Sequence, residues 1–322
     1  YLYAREAFGP AVGFQVGWMN WIARVSAYAT NCNLLVVYLG FFWPAAGSGF
    51  WRALIITLIT VTLTLINYIG VRDAAITSNV FTIAKLLPLV LFIATGLFFL
   101  TPENFTLGDY PSYGSFSTSV LLLLYAFTGF ENASVPAGEV VNPRRSLPFA
   151  ILIGLGIVTL VYLLIQTVSI GTLRDLGNTE RPLADAAAIF LGPVGGSIIA
   201  AGAIISVLGN LNVNLLTTPR ILFAMASRRE LPQILSDVHQ RFRTPHVAIL
   251  GTALLMLALT LSSSLIYALT VSTIARLLAY AATCAALPTL RHRKDVPAPL
   301  VKIPGGIVIS VLAILLSIWL LS

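Results

Sequence analysis

The fold class the sequence predicts is an all-α integral membrane protein, and three observations predict it. First, the 322 residues are 57% hydrophobic and only 10% charged, with a mean hydropathy of +0.90, whereas a water-facing shell needs roughly a quarter charged residues. Second, long stretches carry almost no charge: residues 76–100 hold one, Lys85, and 147–171 hold none. Third, the bases fall in alternate loops. At about 1.5 Å per residue each apolar run can cross a hydrocarbon core of about 30 Å as a helix, with its backbone hydrogen bonds satisfied internally. This specifies helices and not a barrel.

Nine spans follow in order, at approximately 12–38, 52–70, 76–100, 117–140, 147–171, 194–225, 246–262, 265–287 and 304–321. Of the 19 Lys and Arg residues, twelve lie in one set of loops, among them Arg5, Arg72, Arg144, Arg145, Arg228 and Lys302. Three, Arg52, Arg174 and Arg181, lie in the other set. The positive-inside rule places the first set, and the N-terminal end of the chain, on the cytoplasmic side of a plasma membrane of bacterial type. The net charge of +7 is therefore topology rather than a nucleic-acid footprint. The chain opens at Tyr1 without a methionine and closes at Ser322 inside an apolar run, so part of the architecture is expected beyond its ends. Cys32 and Cys284 lie in spans with no metal-ligand partners nearby and read as small core residues.

Between the spans, 101–116 and 172–193 have the composition of turns and short caps. Arg181-Pro182 followed by 183–191 reads as a short external helix, with a lid as one reading. In 226–245, Leu231, Ile234, Leu235, Val238 and Phe242 recur at helical spacing, which suits an interfacial helix or equally a solvated loop helix. Gly9, Gly13 and Gly17 form a small-residue stripe that lets helices approach closely.

Chemistry is expected where the membrane makes residues expensive. A charge near a span centre costs about 2.5 to 3.5 kcal/mol, so it usually faces a cavity or a partner. Arg24, Lys85, Glu131 and Arg276 sit at such depths. Lys85 is a candidate proton switch, because an ammonium can lose its proton when desolvated and regain it when water or a carboxylate arrives. The competing reading is a structural cation held by carbonyls or by Glu131. Arg24 and Arg276 read first as clamps between helices, since a guanidinium stays charged.

The span at 117–140 carries Thr128, Gly129, Glu131, Asn132, Ser134, Pro136 and Gly138 and is a poor continuous helix. A break at Thr128 to Glu131 is the economical reading, with a merely kinked helix as its rival. Unwound backbone at mid-depth exposes amides and carbonyls that can hold the charged groups of a zwitterion.

Five stretches together resemble a known family. They are Tyr3-Ala4-Arg5-Glu6-Ala7-Phe8-Gly9; Lys85-Leu86-Leu87-Pro88; Gly129-Phe130-Glu131; Glu139-Val140-Val141-Asn142-Pro143-Arg144-Arg145-Ser146-Leu147-Pro148; and Pro219-Arg220 with Leu231-Pro232. In this order and at these depths the chain is similar to amino acid permeases of the amino acid-polyamine-organocation superfamily. The resemblance implies a LeuT-like bundle of two five-helix inverted repeats, normally twelve spans. The chain then corresponds to the third to eleventh spans, without the first two and the last. Residues 1–322 form a single transport domain in this reading. Residues 1–100 match helices three to five, 101–287 helices six to ten, and 288–322 a cytoplasmic loop and helix eleven.

The resemblance further implies an amino acid substrate received at the break. Tyr125 stands at an aromatic gate with Phe127 beside it, and the carbonyls near Tyr125, Ala126 and Thr128 take the ammonium group next to Gly129. Lys85 falls where proton-coupled relatives replace a sodium ion with a lysine. Glu131 matches a carboxylate implicated in proton sensing in arginine/agmatine exchangers. The implied coupling ion is thus the proton rather than sodium, with no cofactor and no metal.

Ser206, Asn210, Asn212 and Asn214 share one stretch of the span at 194–225, and Asn210 and Asn214 share a helix face. Asn214 lines up with a side-chain-recognition position in some relatives, while interhelical hydrogen bonding is the alternative. With Glu131 the one clear acid in the pocket, a small neutral amino acid is the preferred substrate. The expected function is secondary amino acid transport by alternating access, coupled to protons. An exchanger, or a non-transporting nutrient sensor on the same fold, is the alternative. An enzyme is disfavoured because His239, His246 and His292 lie in cytoplasmic loops. A channel is disfavoured because no repeated carbonyl filter is present. Lipid and substrate are the expected partners, and the oligomeric state is left open.

Overall fold

A computed structural model describes residues 1–70, 74–106, 110, 112–131, 142–293 and 304–321, with the backbone alone for 74–83, 143 and 144. Among the described residues all regular structure is helical. The α-helices are α1 (Leu2–Phe8), α2 (Pro10–Phe42), α3 (Gly49–Ile69), α4 (Ala74–Gly96), α5 (Tyr113–Ala126), α6 (Pro143–Thr172), α7 (Pro182–Ser227), α8 (His246–Ser262), α9 (Leu265–His292) and α10 (Gly306–Leu321). Eight of the nine expected spans find their helices in α2 to α4 and α6 to α10, and α5 covers the first part of the expected span 117–140. Among the described residues α2, α3, α6, α7 and α9 are long and apolar enough to cross a membrane, and α5, α8, α10 and Ala84–Phe99 are shorter apolar helices. The chain is a multi-pass membrane protein.

Glycine and proline set the boundaries. Gly9 takes φ +89, its N–H bonds the Arg5 carbonyl at 2.9 Å, and Pro10 then opens α2 with the φ that a first helical turn requires. Gly13 gives the glycine stripe its purpose, since a Cβ there would collide with the Cα and Cβ of Arg5. Gly70 ends α3 in the same way as Gly9, with φ +89 and an N–H bonded to Ile66. The expected external helix forms the first part of α7. It starts at Pro182 and is separated from the following span at Gly192, with φ 69 and ψ −172.

The described residues cluster into two compact units that interleave along the chain. One comprises Tyr1–Ala23, Pro111–Val161 and Leu269–Ser322. In it Ala4, Val16 and Ala279 pack together, and Trp319 of α10 meets Tyr113 and Phe116 of α5 edge-on or tilted. The other comprises Arg24–Tyr110 and Tyr162–Ala268. Its core joins Tyr38, Phe92, Val168, Phe190 and Ile199 with Ala184, Ala186, Ala187 and Ala200. The helix Pro182 to Leu191 thus buries one face in that core. Gly202 of α7 admits the ring of Pro88 on α4, where a Cβ would lie 2.7 Å from the proline Cγ.

One expectation is corrected. Beyond Ser227, the last residue of α7, the segment to Pro245 forms no α-helix, interfacial or solvated. It holds a single 3-10 turn, Gln233–Ser236, between left-handed residues Arg229 (φ 61) and Arg243 (φ 54). Pro232 and Pro245 disfavour helical backbone at the residues before them, which overrides the helical spacing of the apolar side chains. Ile234 and Val238 are 59% and 48% exposed instead of sharing a buried stripe. The segment is tied down locally, with the Thr244 hydroxyl donating to the Tyr68 carbonyl at 2.7 Å and Phe242 stacked on His239.

Candidate functional site: a broken helix clasped by an ion pair

The Ser112 hydroxyl caps α5 by accepting from the Ser115 amide at 3.2 Å, and the helix runs through four leucines to Tyr125 and Ala126 before it fails. Phe127 to Gly129 form a turn and Phe130 with Glu131 a short 3-10 piece. The break therefore opens one residue ahead of the expected Thr128. Its hydrogen bonds tighten first: the Phe127 amide bonds the Leu124 carbonyl at 3.2 Å, and the Thr128 amide bonds that of Tyr125 at 3.0 Å. The Thr128 hydroxyl also donates to the Tyr125 carbonyl, at 2.8 Å. Gly129 then takes φ +111, a conformation that side chains rarely adopt. The rest of the expected span, 132–140, lies outside the described residues.

Glu131 closes the break. Its Oε2 accepts from the Gly129 amide at 2.9 Å and from the Tyr280 hydroxyl at 3.1 Å, while Oε1 is ion-paired with Nη1 of Arg276. The Arg276 side chain is 7% exposed and that of Glu131 19%. Phe130 lies against the Tyr280 ring with centroids 5.8 Å apart. Arg276 and Tyr280 are one turn apart on α9, and Ser272, one turn earlier, donates to the Ala23 carbonyl at 2.7 Å. The expectation that Arg276 clamps neighbouring helices now has a partner. Tyr280 joins the site through its hydroxyl, and its spacing of four from Arg276 is the sequence signal that could have found it.

The second unit holds the other expected residues. Asn214 is buried on α7, donating to the Arg24 carbonyl at 3.3 Å and accepting from Thr218 at 2.8 Å. Arg24 itself donates to the Thr217 hydroxyl at 3.0 Å. Asn212 accepts from Asn67 of α3 at 3.1 Å. Asn214 thus makes one interhelical bond, to Arg24 of α2, of the kind that was the alternative to substrate recognition, whereas Asn210, one turn earlier, is exposed. Lys85 lies exposed on α4 with no hydrogen bond or ion pair among the described residues, next to an apolar groove of about 490 Å³ formed by Leu86, Leu87, Val90, Leu91 and Ala94.

Helices of this length and composition define a multi-pass membrane protein. The chain belongs to the amino acid permease family, which it matches along residues 1–322. It is 34% identical over 276 residues to the serine/threonine exchanger SteT of Bacillus subtilis (strain 168), an alignment covering 81% of this chain and 61% of that protein. It is 28% identical to the arginine/agmatine antiporter of Chlamydia pneumoniae, over 100% of this chain and 71% of the antiporter. An uncharacterized transporter of Mycobacterium bovis (strain ATCC BAA-935 / AF2122/97) is 29% identical over 99% of this chain and 71% of its own length. The family is one of transporters, not enzymes.

Proposed function

We propose that this chain carries the substrate-binding part of a secondary active transporter that moves a small neutral amino acid by alternating access. The observation that carries the reading is that the apolar helix α5 ends at Ala126 and gives way at Phe127 to Glu131 to turn and 3-10 backbone. Backbone at such a break lies outside a regular ladder, and an amino acid zwitterion, which carries both charges on adjacent atoms, is suited to it. The names of the serine/threonine exchanger and the arginine/agmatine antiporter support an amino acid as the transported species. In this reading the carbonyls of Tyr125, Ala126 and Thr128 take the ammonium group, Gly129 lets backbone approach the substrate, and Tyr125 with Phe127 gates it.

Lys85 is the site proposed for the coupled proton, and its place as the one charge in the apolar run 76–100 supports that role. Substrate and proton together then bias the rocking of one helix bundle against the other, through their different affinities for the two states. The basic loops, including Arg145, Arg228 and Arg291, face the cytoplasm across a plasma membrane of bacterial type. Obligatory exchange is the second reading, favoured because two relatives are named as an exchanger and an antiporter.

The test is uptake of radiolabelled amino acids into liposomes containing the full-length protein, with and without an inward proton gradient. Uptake driven by the gradient supports proton symport. Flux that requires preloaded amino acid supports exchange. Binding without flux under both conditions contradicts transport and leaves a sensor.

A further inference from the structure

Resting on the amino acid reading above, we infer that Arg276 is the residue that sets the charge class of the substrate: by neutralising Glu131 it restricts the break to zwitterions and excludes dibasic amino acids and diamines. The geometry is specific. Both oxygens of the Glu131 carboxylate are engaged, Oε1 by the Arg276 guanidinium and Oε2 by the Tyr280 hydroxyl and the Gly129 amide. A substrate ammonium or guanidinium arriving at the break meets a carboxylate already neutralised and already hydrogen-bonded. It meets, besides, a guanidinium whose buried Nε has no acceptor among the described residues, a donor that a second cation cannot satisfy.

Two opposite unit charges side by side add no net charge to the segment that receives the substrate. Where water is scarce a single uncompensated charge acts strongly over several ångströms, so one ion more or less changes which substrates are tolerated. Removing Arg276 alone leaves a carboxylate at the break and should admit cations. Removing Glu131 alone leaves a guanidinium and should admit anions. The selectivity then follows the net charge of the pair rather than the size of either side chain. Tyr280 holds the carboxylate in place for the pairing and is a positioning residue.

The experiment measures inhibition of labelled serine and alanine uptake by unlabelled arginine and by unlabelled aspartate, in liposomes containing full-length wild type, Arg276→Gln and Glu131→Gln. The ratio of the two inhibition constants is read, so the amount of active protein does not matter. The inference predicts a shift of about tenfold or more toward arginine in Arg276→Gln and a similar shift toward aspartate in Glu131→Gln. Wild-type ratios in both variants would overturn it, as would a shift of the same sign in both. Where a single variant does not fold, the double variant Glu131→Gln with Arg276→Gln is read, since it leaves neither charge alone. It should discriminate as wild type does, and a new preference for arginine or aspartate would overturn the inference. A wild-type protein that takes up no amino acid sinks the transport reading itself, whereas wild-type uptake with unchanged ratios sinks only the role of Arg276.

Discussion

Arg276 of α9 is ion-paired with Glu131, the residue that closes the break after α5, although 145 positions separate them in the chain. The pair is more than half hidden from solvent on both sides, with 7% and 19% of the side chains exposed. Deleting one partner of such a pair leaves the other charge desolvated and uncompensated. Glu131→Gln or Arg276→Gln alone should therefore destabilise the protein by about 3 kcal/mol, and the double variant by clearly less than the sum. Thermal unfolding of the four proteins in detergent reads the coupling, and additive losses would show that the pair contributes nothing.

Gly129→Ala forces a Cβ into a backbone at φ +111. The strain is about 1–3 kcal/mol, and the alternative is to rebuild the turn that separates α5 from Glu131. Transport should fall severalfold while the protein still reaches the membrane and elutes as a single species. Uptake at the wild-type rate would mean that the break does not need this conformation.

Asn210 and Asn214 lie one turn apart on α7, but the first is exposed and the second is bonded to Arg24 and Thr218. Asn214→Ala should lower the unfolding temperature, by about 1 kcal/mol of stability, with a smaller change in apparent affinity. Asn210→Ala should do the reverse. A common effect on affinity alone would return Asn214 to substrate recognition.

Much of this was legible in the residues. Eight hydropathic runs became α2 to α4 and α6 to α10, and the first part of 117–140 became α5, because a membrane leaves helices little choice, while Gly9, Gly70 and Pro182 marked helix ends chemically. The break was visible in Thr128, Gly129 and Glu131, and falls one residue early because Phe127 already caps the helix. The partner of Glu131 was not legible, since no local spacing connects α9 to a residue 145 positions away. The loop at 226–245 misled because the apolar period was read ahead of Pro232 and Pro245, whose backbone restrictions decide the conformation. Asn214 was ambiguous for another reason: an amide on a membrane helix serves a neighbouring helix or a ligand with the same atoms.

Lys85→Ala removes the exposed ammonium of α4. Uptake driven by a proton gradient should be lost, whereas exchange of labelled for unlabelled amino acid, which needs no net proton movement, should persist. Liposomes from one preparation serve both assays. Gradient-driven uptake at the wild-type level would remove Lys85 from the coupling mechanism.

Whether the break receives the substrate is tested most directly by the accessibility of its own residues. Phe127→Cys is placed in a full-length protein in which Cys32 and Cys284 are replaced by alanine, and its reaction with a membrane-impermeant thiol reagent is timed with and without neutral amino acid. Provided the variant still takes up amino acid, substrate should slow the modification severalfold. An unchanged rate at saturating substrate would contradict a binding site at Phe127 to Glu131.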